Sequence, residues 1–188
     1  MAKYTKPMRA DEFMAMLEAD PDWVRRRDER LARHAAEVAR LRTETEPEHA
    51  PLRRDLAAVG LPVSSISDLV NMSAPYPQAV PVLLRHLATS RHPVMRDSLA
   101  RALTVREAEG VAGGPILREL KKESHHDTRW ALANALTIVS APEDAAEITA
   151  LLNDPNYADV HERLGRALKN LRPANRRRRE ARKRGSVS

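Results

Sequence analysis

Along most of this chain apolar residues recur at steps of three and four, the spacing that gathers them on one face of an α-helix. Residues 10–19 place Phe13, Met16 and Leu17 together, which predicts a first short helix. A long helix is predicted over about 21–43. Its stripe is Trp23, Val24, the stem of Arg27, Leu31, Ala35, Val38 and Leu41. The opposite face sets Asp22 against Arg26, Arg25 against Glu29 and Glu29 against Arg33, opposite charges four residues apart. The polar run from Thr43 to Pro51 reads as a break. A further helix then reaches Val59 and is closed by Gly60, and Ser65 with Asp68 opens a short helix through Met72.

Prolines punctuate this pattern. Pro21, Pro51, Pro93, Pro115 and Pro142 each stand before a helical apolar run, where a missing N–H costs nothing and φ is already set. Asp20-Pro21-Asp22 supplies capping oxygens, and Ser140-Ala-Pro-Glu143 reads as a capping box.

From Tyr76 onward the pattern repeats. The segments His92–Leu103, His125–Leu136 and Tyr157–Leu168 superpose without gaps. They align Leu99, Leu132 and Leu164, then Ala102, Ala135 and Ala167, then Leu103, Leu136 and Leu168. The offset is 33 and then 32 residues. Each segment follows another helical stretch in matching register: Leu83/Leu87, Ile116/Leu120 and Ile148/Leu152. Two helices per unit at constant period predict an all-α helical solenoid, in which no hairpin buries its face alone but three stacked together do. The alanines let paired helices approach closely while the leucines interlock between units. The chain therefore divides into an N-terminal helical cap region (1–72), three repeats (73–171) and a basic tail (172–188).

The second helices resemble HEAT and related PBS-lyase-type repeats, whose common pattern is Asp-Pro-x-Val-Arg-x-x-Ala-x-x-Ala-Leu. Pro93, Met95, Arg96, Ala102 and Leu103 match it in the first unit, Arg129, Ala135 and Leu136 in the second, and Val160, Ala167 and Leu168 in the third. His161 stands where the pattern has arginine, and Leu99, Leu132 and Leu164 where it usually has alanine. The resemblance covers residues 76–171 and implies a short right-handed α-solenoid like that of small bacterial HEAT-repeat proteins. It says little about function.

Composition narrows the classes. With only one Phe, two Trp and three Tyr, the core is built from aliphatic side chains and alanine. No apolar run approaches the roughly 20 residues that span a bilayer, the N-terminal residues lack the apolar stretch of a signal peptide, and no cysteine is present. A cytoplasmic protein without membrane association is expected. Arginine outnumbers lysine 26 to 6, which fits a high-GC bacterial or phage gene. The net charge of +6 is concentrated: residues 172–188 hold eight basic groups and one acid, so the preceding residues sum to −1.

Two surfaces carry candidate chemistry. HEAT-type repeats present their second helices on the concave side, and there Asp97, Trp130 and Glu162 form one row and Arg101, Asn134 and Arg166 the next. Trp130 is the natural anchor for a protein partner, since tryptophan is enriched at binding hot spots; the plainer reading packs it against a neighbouring helix or loop. Arg96 and Arg129 are expected to bond inter-repeat carbonyls or acids such as Asp127 and Asp159. The second surface is the tail, where Arg176, Arg177, Arg178, Arg179, Arg182, Lys183 and Arg184 would engage a nucleic-acid backbone by charge, or would simply solubilise the chain.

Catalytic readings fare poorly. In His125-His126-Asp127 adjacent side chains cannot address one ion from the same side of a helix, and Gly165 replaces the second histidine of a zincin-like His161-Glu162 start. Gly113-Gly114 lacks the Lys-Ser or Lys-Thr of a phosphate loop. The alkylpurine DNA glycosylases, built on HEAT-like repeats, suggest Trp130 with Asp127 or Asp97, but the near-neutral body departs from that family's basic groove. The expectation is a binding scaffold without catalysis, cofactor, metal or small-molecule substrate.

Overall fold

A computed structural model describes residues 9–171. These are helical almost throughout, with no strand among the described residues. The helices are α1 (Ala10–Glu18), α2 (Pro21–Ala58), α3 (Ile66–Val70), α4 (Val80–Thr89), α5 (Pro93–Ala102), α6 (Gly113–Lys122), α7 (His126–Val139), α8 (Ala145–Leu152) and α9 (His161–Leu171). The chain forms two compact units, one ending at Glu46 and the other starting at Pro47.

In the first unit, α1 and the start of α2 lie where periodicity puts them. The Asp20 carboxylate accepts the Asp22 N–H at 2.9 Å and caps α2. The break expected between Thr43 and Pro51 does not occur: α2 runs unbroken through Pro47 and Pro51. The two prolines stand four apart, so the ladder loses only the bonds to the carbonyls of Thr43 and Pro47. An interior proline costs about 3 kcal/mol. Beyond it, Leu52 and Leu56 are wholly buried, at about 1.5–3 kcal/mol each, and their burial holds the helix in place. Pro51 is thus an interior residue and not a helix start.

The second unit is a helical repeat fold. Helices α4/α5, α6/α7 and α8/α9 form three antiparallel hairpins. The second helices pack side by side, α5 on α7 and α7 on α9, and far more extensively than the first helices α4 and α6. This close row is possible because its facing positions are small: Ala100, Ala102, Ala131, Ala133, Ala135 and Ala167 are all buried. Leu99, Leu132 and Leu164 are each fully buried in the aliphatic seam that the repeat predicts. At the other end α3 packs on α5, so residues 47–72 cover the open side of the first hairpin. Gly60, at φ +83°, ends α2 in a conformation that side chains avoid. Asp68 accepts the N–H groups of Ser64 and Ser65 at 2.8 and 2.9 Å and starts α3.

Burial falls off at the last hairpin. Leu168 and Leu152 are only half-buried, unlike their counterparts Leu103, Leu136 and Leu120, because no described helix follows α9 to cover them. Leu151, one residue on, is the buried position of α8. The Ser140–Glu143 capping box does not form. Instead the Ala141 N–H donates to Asp144 at 2.8 Å, one residue later, and the buried Ser140 hydroxyl has no partner. Asp144 in turn lies against α6, where a Cβ on Gly113 would sit 1.9 Å from its carboxylate oxygen. Gly113 therefore serves close packing, not phosphate binding.

Candidate functional site on the second helices

The row of second helices brings three side chains from three repeats into one stack. Trp130 on α7 is half-buried, with one part against the core and the rest at the surface. The guanidinium of Arg163, from α9, lies 4.7 Å from its ring centroid, and that of Arg101, from α5, lies 5.8 Å away. Both fall within cation–π range. Arg101 is itself oriented by Asp97, which accepts its Nε–H at 2.7 Å from one turn earlier. That hydrogen bond, outweighing the burial penalty, raises the Arg101 pKa.

Two polar atoms here are buried and unpaired. Asp97 Oδ1 and Arg163 Nε lack a hydrogen-bond partner within the described residues. Asp97, Arg101 and Trp130, expected in this surface from the repeat alignment, thus come together. Asn134 is half-buried on the same helix as Trp130, and Glu162 and Arg166 are exposed on α9; these three take no part in the stack. Arg163 was missed because the alignment pairs Trp130 with Glu162. The neighbour that reaches the ring stands one position further along α9, and the repeat spacing of 32 instead of 33 was the available signal.

The arginines at the repeat pattern position are structural. Arg96 donates to Glu123 at 2.6 Å, to Glu119 at 3.3 Å, and to the carbonyls of Leu87 and Ser90 at 3.1 and 3.2 Å. It thereby ties the first hairpin to the second. Arg129 bonds Asp159 at 2.9 Å and the Asn156 carbonyl at 2.5 Å, and lies over the Tyr157 ring. Asp159 is one of the acids the sequence suggested; Asp127 is exposed and takes no such bond, the acids on Arg96 being Glu119 and Glu123. Carboxylates also satisfy the backbone before α5 and α7. Glu48 accepts the N–H groups of Arg91 and His92 at 3.0 and 3.1 Å together with the Ser90 hydroxyl, and Glu123 accepts those of Ser124 and His125 at 3.0 and 2.9 Å. Burial alone would raise both pKa values; the hydrogen bonds outweigh it and hold both below the ordinary carboxylate range.

His125 forms the N-cap position of α7, and His126 lies 3.5 Å from Asp159. Among the described residues no cluster of three metal-binding side chains occurs. No helix of the described residues is long and apolar enough to cross a membrane. The tail arginines Arg176–Arg179, Arg182 and Arg184, with Lys183, lie outside the described residues. Comparison with family models, curated proteins and solved structures finds no match for the chain. The likeness to HEAT-type repeats rests on the residues of the three segments alone.

Proposed function

We propose that this protein is a non-enzymatic binding scaffold of HEAT-like type that engages a protein partner through the face of α5, α7 and α9. One observation carries the reading: Trp130 is held half-buried between Arg101 and Arg163, on helices of three successive repeats. A rigid aromatic flanked by oriented guanidinium groups is the composition of a binding hot spot. The site thus offers a partner an apolar platform beside the half-exposed Arg101 guanidinium. Asp97, one of the two carboxylates a base-excision reading would use, is occupied in orienting Arg101, which favours recognition over base excision.

The test is affinity capture from the native lysate, read by quantitative mass spectrometry, with the wild-type chain and the Trp130→Ala/Arg101→Glu variant. The expected result is at least tenfold loss of a discrete set of proteins from the variant, with unchanged circular dichroism. Identical capture by the two chains would overturn the reading.

A second reading is favoured by the eight basic groups between residues 172 and 188. In it the tail binds a nucleic-acid backbone and the repeats dock the complex. Binding to duplex DNA would then weaken with salt at a log–log slope of about −3 to −7 and vanish on deletion of the tail. Salt-insensitive binding, or full binding after truncation, would refute it.

A further inference from the structure

Among its described residues the first unit contains no buried one. From Arg9 to Glu46 every side chain is exposed or half-exposed, and Phe13, Met14, Met16, Leu31 and Val38 are between 44 and 59% exposed. Residues 21–46 nonetheless form about 39 Å of continuous helix at 1.5 Å per residue. A helix with no packed face is marginal in water, so this one is written for a partner surface.

The pattern on that face indicates which surface. Val24, Leu31, Val38 and Thr45 fall at seven-residue steps, and Arg27, His34 and Leu41 follow three residues after the first three. Val24, Leu31, Val38 and Leu41 thus share one face in the register of a coiled-coil seam, in which Arg27, His34 and Thr45 are the polar positions. Arg27 does not break it: its guanidinium swings over the Trp23 ring at 5.2 Å and onto Asp28, leaving the stem along the seam. Ala35, beside the seam, leaves room for close approach at its middle.

The charges select the orientation. Residues 22–33 carry five arginines and three acids, whereas residues 34–46 carry three glutamates and two arginines. The row beside the seam reads Trp23, Arg30, Glu37, Glu44. Arg30 has no carboxylate partner among the described residues. In an antiparallel pair this row faces its own copy, and a two-fold axis near residue 34 sets Arg30 of each chain against Glu37 of the other. A parallel pair would place Arg30 beside Ala35 and stack like-charged halves.

We infer that the exposed part of α2 is a self-association surface, and that its occupant is the same segment of a second copy of this chain, packed antiparallel. About 39 Å of helix, roughly 10 Å wide, covers about 400 Å² per copy, or about 800 Å² in all, the size of a weak and reversible contact.

Sedimentation velocity on the full chain, from about 1 to about 200 µM, reads the outcome. The wild type is expected to pass from monomer to dimer in that range. Leu31→Glu/Val38→Glu should weaken association at least tenfold while leaving thermal unfolding of the repeats unchanged, both positions being exposed. Arg30→Glu alone and Glu37→Arg alone should each be monomeric, and mixing the two should restore a heterodimer, since each then offers the charge the other lacks. A wild type that stays monomeric at the highest concentration would overturn the inference. So would a dimer indifferent to Leu31→Glu/Val38→Glu, or single variants that fail to combine.

Discussion

Arg96→Ala probes how the first and second hairpins are joined. The substitution removes the guanidinium from between Glu119 and Glu123 and deprives the Leu87 and Ser90 carbonyls of their donor. All three charged side chains are at most 11% exposed, so solvent replaces little of what is lost. Breaking a buried ion pair by removing one partner costs about 3–5 kcal/mol. Here Glu119 keeps Lys122 at 2.9 Å and Glu123 keeps two backbone N–H groups, which places the expected loss near the lower end, about 3 kcal/mol. Urea unfolding followed by circular dichroism measures it at neutral pH. Arg101→Ala is the matched control: its pair with Asp97 is equally short, but Arg101 is half exposed, so the loss should stay below about 1 kcal/mol. The pH dependence adds a second check. Because Glu123 titrates below the usual range when folded, its contribution is present above about pH 4.3 and is lost as pH falls through the lowered native value. Arg96→Ala removes part of that contribution, so the gap between variant and wild type should narrow in acid. A gap under about 1 kcal/mol at pH 7, or one that does not narrow, would refute the account of this cluster.

Three further outcomes follow from the packing. Gly113→Ala should destabilise by about 1–3 kcal/mol, since the new methyl meets the Asp144 carboxylate, and adding Asp144→Ala should recover part of that loss in a double-mutant cycle by urea titration. Burial raises the pKa of Asp144 when folded, so its carboxyl favours the native state at low pH and that advantage is lost as pH rises through the raised value; Asp144→Asn should therefore stabilise the protein at pH 7 and lose the gain near pH 3, as judged by thermal melts. Leu132→Ala, at a wholly buried site, should cost about 2–5 kcal/mol, whereas Leu168→Ala, at the half-covered end of the stack, should cost less than half of that by the same urea assay.

The repeats were legible because three-dimensional neighbours there are also periodic neighbours. Leu99, Leu132 and Leu164 share one environment, and an alignment of the three segments finds them without any geometry. What misled was local chemistry overridden by tertiary packing. Pro47 and Pro51 read as a break because their missing N–H groups are visible in sequence, whereas the buried Leu52 and Leu56 that hold the helix through them are recognised only once the hairpins stand beside them. The capping acceptor at Asp144 sits one residue past the expected Glu143, because the helix start is tightened by a 3-10 turn over Pro142–Asp144. The stack at Trp130 was legible by half. Arg101 and Asp97 fall in the aligned rows, but Arg163 enters by the one-residue difference in repeat length, which periodicity averages away. The Glu48 carboxylate was not legible at all. It accepts backbone N–H groups, and no spacing rule links a glutamate in α2 to amides more than forty residues later.

Each hairpin of the second unit leans on the hairpins immediately before and after it, and the joints are made of equivalent parts. The row of second helices is consequently modular in the literal sense. Splicing in another 32- or 33-residue hairpin between α7 and α8 would lengthen it by one helix, provided the insert remakes on both its sides the α7–α9 joint that it parts, with the Arg129–Asp159 and Arg163–Trp130 contacts. A lineage carrying such a chain could lengthen or shorten this row by duplicating or deleting one segment of its gene.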